Sequence, residues 1–234
     1  MADIWREHPS IQRLTSVARL LGPLNANLVF IGGAIAPILQ TDPPFASARV
    51  TKDVDGVAAT GTLSGHAQLQ SALRERNFRE ATTERHAHRW ICPDGSLFDL
   101  VPAGDHLGAS GQVWDQVAID TAIECQLEEG LTVRHASAPA FLALKWAAFN
   151  DRGRDDPFAS HDLEDIIAIL ASRPTIVDEV QATPATVKDF VQEQSKLLLQ
   201  HRDFDDLLAA NLAWAFDAHG TSKVVAMRLA ALAN

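Results

Sequence analysis

The sequence predicts an α+β half followed by a helical half. Two observations carry this: up to about residue 135, short apolar runs are broken by Gly-Gly and Asp-Gly turns, and from Ala138 the chain becomes rich in alanine and leucine at helical spacing. The expected boundaries are 1–135 for the α+β domain and 136–234 for the helical domain.

Apolar Ile11, Leu14, Val17, Leu20 and Leu21 recur at steps of three and four, and Gly22-Pro23 ends the run, so an amphipathic helix opens the chain. Leu28 to Ile31 reads as a buried strand. Gly32-Gly33 closes it and leads into a short helix that can hold Pro37 in its first turn. Such a turn lets a backbone approach a phosphate, with helix N–H groups pointing at it. Thr41-Asp42-Pro43-Pro44 is a surface loop by composition.

The next run, Arg49-Val50-Thr51-Lys52-Asp53-Val54-Asp55-Gly56, is β-like and continues through Ala59. Residues two apart on a strand share a face, so Asp53 and Asp55 stand side by side. Two charges about 5 Å apart repel by roughly 3 kcal/mol at an effective dielectric near 20. Protonation, basic neighbours or a hard cation such as Mg²⁺ must relieve that repulsion.

Ser64 is the expected N-cap of a helix running to Asn77. Glu84–Cys92 and Leu97–Ala103 flank Pro93-Asp94-Gly95-Ser96, a hairpin signal, and the second strand carries Asp99 in an apolar run. His86 and His88 share a strand face between Arg85 and Arg89, which reads as a polar or substrate-contacting face more than as a metal site. Residues 104 to 134 give no clear pattern beyond short strands and loops. Helices are then expected at Ala138–Asn150, His161–Ser172, Thr175–Gln181, Val187–Arg202, Phe204–His219 and Ser222–Leu232.

The chain has 234 residues, an apolar fraction of 47% and a formal charge of −10, so it is long and apolar enough for a packed core and carries no global basic footprint. Cys92 and Cys125 form no CxxC pattern, which points away from zinc and towards a reducing, cytoplasmic setting. No secretory leader and no run approaching a membrane span is evident, so no membrane partner is expected.

Gly32-Gly33 closing a strand, Asp53-x-Asp55 on a later strand and Asp99 on a third resemble, in order and context, the nucleotidyltransferase fold of the DNA polymerase β superfamily. Within it, Phe30-Ile31-Gly32-Gly33-Ala34 and Arg49-x-Thr51-Lys52-Asp53-Val54-Asp55 are similar to the toxins related to the abortive-infection protein AbiEii. Lys145, Arg152 and Arg154, followed by His161-Asp162-Leu163-Glu164-Asp165, look like that group's Lys-to-Arg segment and acidic helix. The motifs cover about Leu28 to Asp165.

The resemblance implies a small mixed sheet with flanking helices and transfer of a nucleoside monophosphate from an NTP to an acceptor hydroxyl. Asp53, Asp55 and Asp99 would be the catalytic, metal-holding carboxylates for two Mg²⁺ ions, and Gly32, Gly33, Lys145, Arg152 and Arg154 would bind the nucleotide. It also implies tRNA as a possible acceptor and a cognate antitoxin as partner. A small-molecule, antibiotic-type transferase and a non-catalytic binding module on the same fold stay open as alternatives. Two departures stand out: the long interval from Gly33 to Asp53, and glycine at position 33 where many relatives carry serine.

Overall fold

A computed structural model describes residues 4–42, 48–60, 62–81, 83, 88–103 and 112–234. His86 lies outside these residues, as do Pro43, Pro44 and most of the expected strand before His88. The chain divides into two compact units, residues 1–37 with 50–137, and residues 38–49 with 138–234.

In the first unit, α1 (Pro9–Leu21) starts with proline at its first position and a His8 cap, and buries Ile11, Leu14, Val17 and Leu21 as the periodicity requires. β1 (Leu28–Ile31) is buried along its whole length. Gly32 then turns the chain at φ +70° into a 3₁₀ turn, Gly33–Ile35, and a single α-helical turn, α2 (Ala36–Leu39), of which Ala36 and Pro37 belong to this unit. β2 (Asp53–Ala58) begins four residues later than the β-like run suggests.

α3 (Leu63–Glu75) is capped by Thr62, whose hydroxyl accepts from the Gly65 N–H; the cap therefore lies two residues before the expected Ser64. β3 (Arg79–Glu80), β4 (Arg89–Ile91) and β5 (Leu97–Pro102) follow, the last two joined through the Asp94-Gly95 turn with Gly95 at φ +86°. The segment that was unreadable in sequence holds α4 (Gln112–Asp120) and a second hairpin of β6 (Ile123–Glu128) and β7 (Leu131–His135), turned at Gly130 with φ +77°.

Among the described residues these strands make one mixed sheet in the order β3-β4-β5-β2-β1-β7-β6. β2 runs parallel to β5 and antiparallel to β1, and β4 runs antiparallel to β5. Trp90, Phe98 and Val54 are cross-strand neighbours on one face and are buried. Arg89, Asp99 and Asp55 form the adjacent row, which points to the opposite face.

The second unit holds α5 (Ala138–Arg152), α6 (His161–Ser172), α7 (Ile176–Gln181), α8 (Ala185–Leu199), α9 (Phe204–Asn211) and α10 (Ala218–Leu232). Phe141, Trp146, Ile166, Ile167, Val191, Val225 and Leu229 are among its buried residues. The single helix expected over 204–219 is broken: Trp214 donates to the Asn211 carbonyl, and Asp217 caps a new helix by accepting from the Gly220 N–H. Residues 38–49 belong here too, held by the Thr41 and Asp42 N–H groups donating to the Ser172 carbonyl and by Arg173 donating to the Leu39 carbonyl. No helix among the described residues is long and apolar enough to cross a membrane.

Asp115 of α4 is only 4% exposed, and burial pushes its carboxyl up to about 6. The folded chain keeps a proton there that the unfolded chain releases near 3.8, so the stability contributed by this group falls as pH rises from 3.8 through 6. Asp115→Asn removes the ionisation. Chemical denaturation should find the variant more stable at pH 7 by up to about 3 kcal/mol, with the gap closing towards pH 4.

Candidate active site

The sheet of the first unit gathers the three aspartates picked out from the sequence. The parallel β2–β5 register places Asp55 opposite Asp99, and Asp53 lies two residues earlier on the same face of β2. β1 adds Ile31 opposite Asp55, so the Gly32 turn begins beside that carboxylate.

Gly32 is fixed by two independent constraints. Its φ of +70° disfavours any side chain, and a Cβ placed there would lie 2.1 Å from Asp55 Oδ2. Gly33 is buried at the start of the 3₁₀ turn. The helix that follows is a single turn, so the Gly-Gly element supplies close backbone approach to Asp55 more than a helix dipole.

Asp53 is set from below. Ser10 Oγ accepts from the Thr51 N–H at 3.1 Å, Arg13 donates to the Thr51 carbonyl, and Thr51 Oγ1 donates to Asp53 Oδ1 at 2.8 Å. The N-terminal turns of α1 thus fix the entry to β2 and the orientation of its first carboxylate.

The structure adds a residue the sequence reading passed over. Arg89 donates from Nε and Nη2 to both oxygens of Asp99, at 2.9 and 2.8 Å, and from Nη2 to Asp53 Oδ2 at 2.7 Å. Its side chain is 13% exposed. The hydrogen bonds to Asp99, with the charges of Asp99 and Asp53, outweigh burial and hold the guanidinium above its ordinary pKa. Its register was recoverable: the hairpin turn that joins Cys92 to Ser96 sets residue 89 opposite 99.

Beside this row, burial depresses the His88 imidazole against the pull of Asp99, and burial with the charge of His88 depresses His66. Among the described residues, the buried His66 Nδ1 has no hydrogen-bond partner.

Lys145, Arg152 and Arg154 lie in the second unit. Lys145 is 6% exposed and pairs with Asp162 Oδ1 at 3.0 Å and Asp165 Oδ2 at 2.5 Å. Burial alone would lower its pKa, but Asp165 and Asp162 outweigh it and raise it. Burial would likewise raise Asp162, yet Lys145 and Arg152 hold it below the usual carboxylate range. Arg49 meets Asp165 at 3.2 Å, and Arg152 meets Asp162 Oδ2 at 2.9 Å with its side chain 68% exposed. Arg154 donates to Asn150 Oδ1 at 3.0 Å. Lys145 is thus a buried organiser of two acidic side chains on α6, while Arg152 and Arg154 present exposed cations.

Asp53, Asp55 and Asp99 are hard oxygen donors of the kind Mg²⁺ selects, so the donor chemistry fits that ion. Among the described residues no group of three His, Cys, Asp or Glu side chains is arranged around a common cation position. Asp53 and Asp99 direct oxygens at Arg89 instead.

No family model and no curated protein matches the sequence. Among solved structures, the chain is similar to a candidate nucleotidyltransferase from H. pylori, at 13% identity and a TM-score of 0.43, over 95% of this chain and 93% of that one. A TM-score below 0.5 does not establish a shared fold, so the site is read from its own geometry.

Gly32→Ala should lose about 2 kcal/mol or more of stability in urea denaturation, from backbone strain and the collision with Asp55. Lys145→Met leaves two buried carboxylates short of a cation, and the same measurement should show a loss of about 3–5 kcal/mol at pH 7.

Proposed function

We propose that the protein is a Mg²⁺-dependent nucleotidyltransferase that moves a nucleoside monophosphate from an NTP to an acceptor hydroxyl, acting as a toxin-like enzyme with tRNA as the candidate acceptor. The observation that supports this best is the single face on which β2 and β5 set Asp53, Asp55 and Asp99, with the Gly32 backbone against Asp55.

In this reading the acceptor oxygen attacks the α-phosphorus, the bond to pyrophosphate breaks, and the hydroxyl proton passes to a carboxylate, with Asp99 the candidate base. Asp53, Asp55 and Asp99 would hold Mg²⁺, which when bound supplies charge neutralisation at the phosphates and leaving oxygen. Thr51 and the α1 residues behind it keep Asp53 in place. The Gly32-Gly33 turn offers backbone, free of side chains, to the phosphates. Lys145 acts on Asp162 and Asp165 rather than on substrate, and Arg152, paired with Asp162, and Arg154 are exposed cations of the same unit that a polyanion could meet.

Incubation of the purified chain with each α-labelled NTP, Mg²⁺ and total cellular RNA tests this. Label should appear on RNA with the wild type, and Asp55→Asn should cut transfer at least about 100-fold while its metal-free thermal transition stays unchanged or rises. Label confined to small molecules would select the antibiotic-type reaction, and label on neither would remove the enzymatic reading.

A further inference from the structure

In the helical unit Phe216 is fully exposed, and Phe158 and Trp214 are exposed with it. The three rings come from two turns. Phe158 lies in the 3₁₀ turn Pro157–Ala159, which packs against α9, and Trp214 and Phe216 lie in the turn between α9 and α10. Hydrogen bonds hold both turns: Asp156 accepts from the Ala159 N–H at 3.2 Å, Trp214 Nε1 donates to the Asn211 carbonyl at 2.9 Å, and Asp217 accepts from the Gly220 N–H at 2.9 Å. Large aromatic rings held in water add nothing to the core, and they are the side chains that anchor binding surfaces.

The charge around the rings says what their occupant carries. Residues 151–159 and 202–217 hold seven aspartates against three arginines, and two of those arginines, Arg152 and Arg202, already meet Asp162 and Asp203. Asp155, Asp156, Asp205, Asp206 and Asp217 are exposed beside the aromatic residues in sequence. Exposed rings can stack the bases of single-stranded nucleic acid, but such platforms line positive grooves, and here the surplus is negative. A two-fold pairing of two copies would set the same aspartates face to face. We propose that the surface carrying Phe158, Trp214 and Phe216 docks a basic protein partner, one that presents a large apolar side chain among lysines or arginines. The proposal is independent of the reaction assigned to the carboxylate face.

The probe is a fluorescein-labelled helical peptide of about 16 residues, with leucine on one face and lysine on the rest, titrated with the full chain and followed by anisotropy. The same peptide with glutamate in place of lysine is the control. The wild type should bind the lysine peptide and not the glutamate one, with an affinity that falls as salt rises from about 0.05 M to about 0.5 M. Phe216→Ser and Phe158→Ser, one in each turn and both at exposed positions, should each weaken binding at least about 10-fold while circular dichroism shows the wild-type fold. Met227→Ser, at an exposed apolar residue further along α10, should bind as the wild type does, and either phenylalanine variant suffices where the other does not fold. No binding by the wild type, undiminished binding by a folded phenylalanine variant, or an equal loss in Met227→Ser would overturn the proposal. So would single-stranded RNA that binds in the peptide's place and needs Phe216, or a dimer of the chain that Phe216→Ser dissociates, since either names a different occupant.

Discussion

Like charges gathered on one sheet face are the constraint that shapes the first unit. The β2–β5 register brings Asp55 and Asp99 level, and the period of two adds Asp53 on the same side. Each pair at about 5 Å costs roughly 3 kcal/mol at an effective dielectric near 20, which is a large part of the net stability of a domain. The guanidinium that β4 delivers into the same row, against Asp99 and Asp53, offsets part of that cost. The hydrophobic face of the same three strands, with Trp90, Phe98 and Val54 packed beneath, holds the strands at the spacing that this electrostatic arrangement requires.

The helical unit answers a similar demand in the opposite way. Asp162 and Asp165 are buried on the first turns of α6, and a buried lysine lies between them, with Arg49 and Arg152 closing the set. An arrangement of this kind adds little net stability, since desolvation consumes most of the attraction, but it is intolerant of losing any one member. It therefore fixes geometry: α5, α6 and the residue 49 end of the inserted segment must keep their mutual placement for the charges to balance.

Where the sequence had a strong local signal, the structure follows it. β1 and α6 have the expected limits, and the Asp94-Gly95 turn forms the hairpin it suggested. The three aspartates share a face because strand periodicity alone dictates it for Asp53 and Asp55. Asp99 joins them through a parallel pairing that local pattern does not encode. The β6–β7 hairpin was missed although Leu131, Val133 and His135 alternate with Thr132 and Arg134, because β6 is largely exposed and lacks the apolar run that marks a buried strand. The break after Asn211 was missed because Asp217 and Gly220 make a capping pair inside a stretch that otherwise scores as helix. Arg89 looked like a flanking charge, since only the cross-strand register reveals its partner.

The segment 38–49 is encoded inside the first unit but packs with the second, so the polypeptide passes between the units three times. A division of the gene near residue 137 would therefore separate neither unit cleanly. An amino-terminal fragment would carry Arg49 and the strand-like Thr41 region without the helix they bind, and a carboxy-terminal fragment would present Asp165 with Lys145 but without Arg49, and the Ser172 carbonyl without its donors. The two units are interlaced in sequence, and the second is complete only when two stretches of chain, 88 residues apart, are brought together.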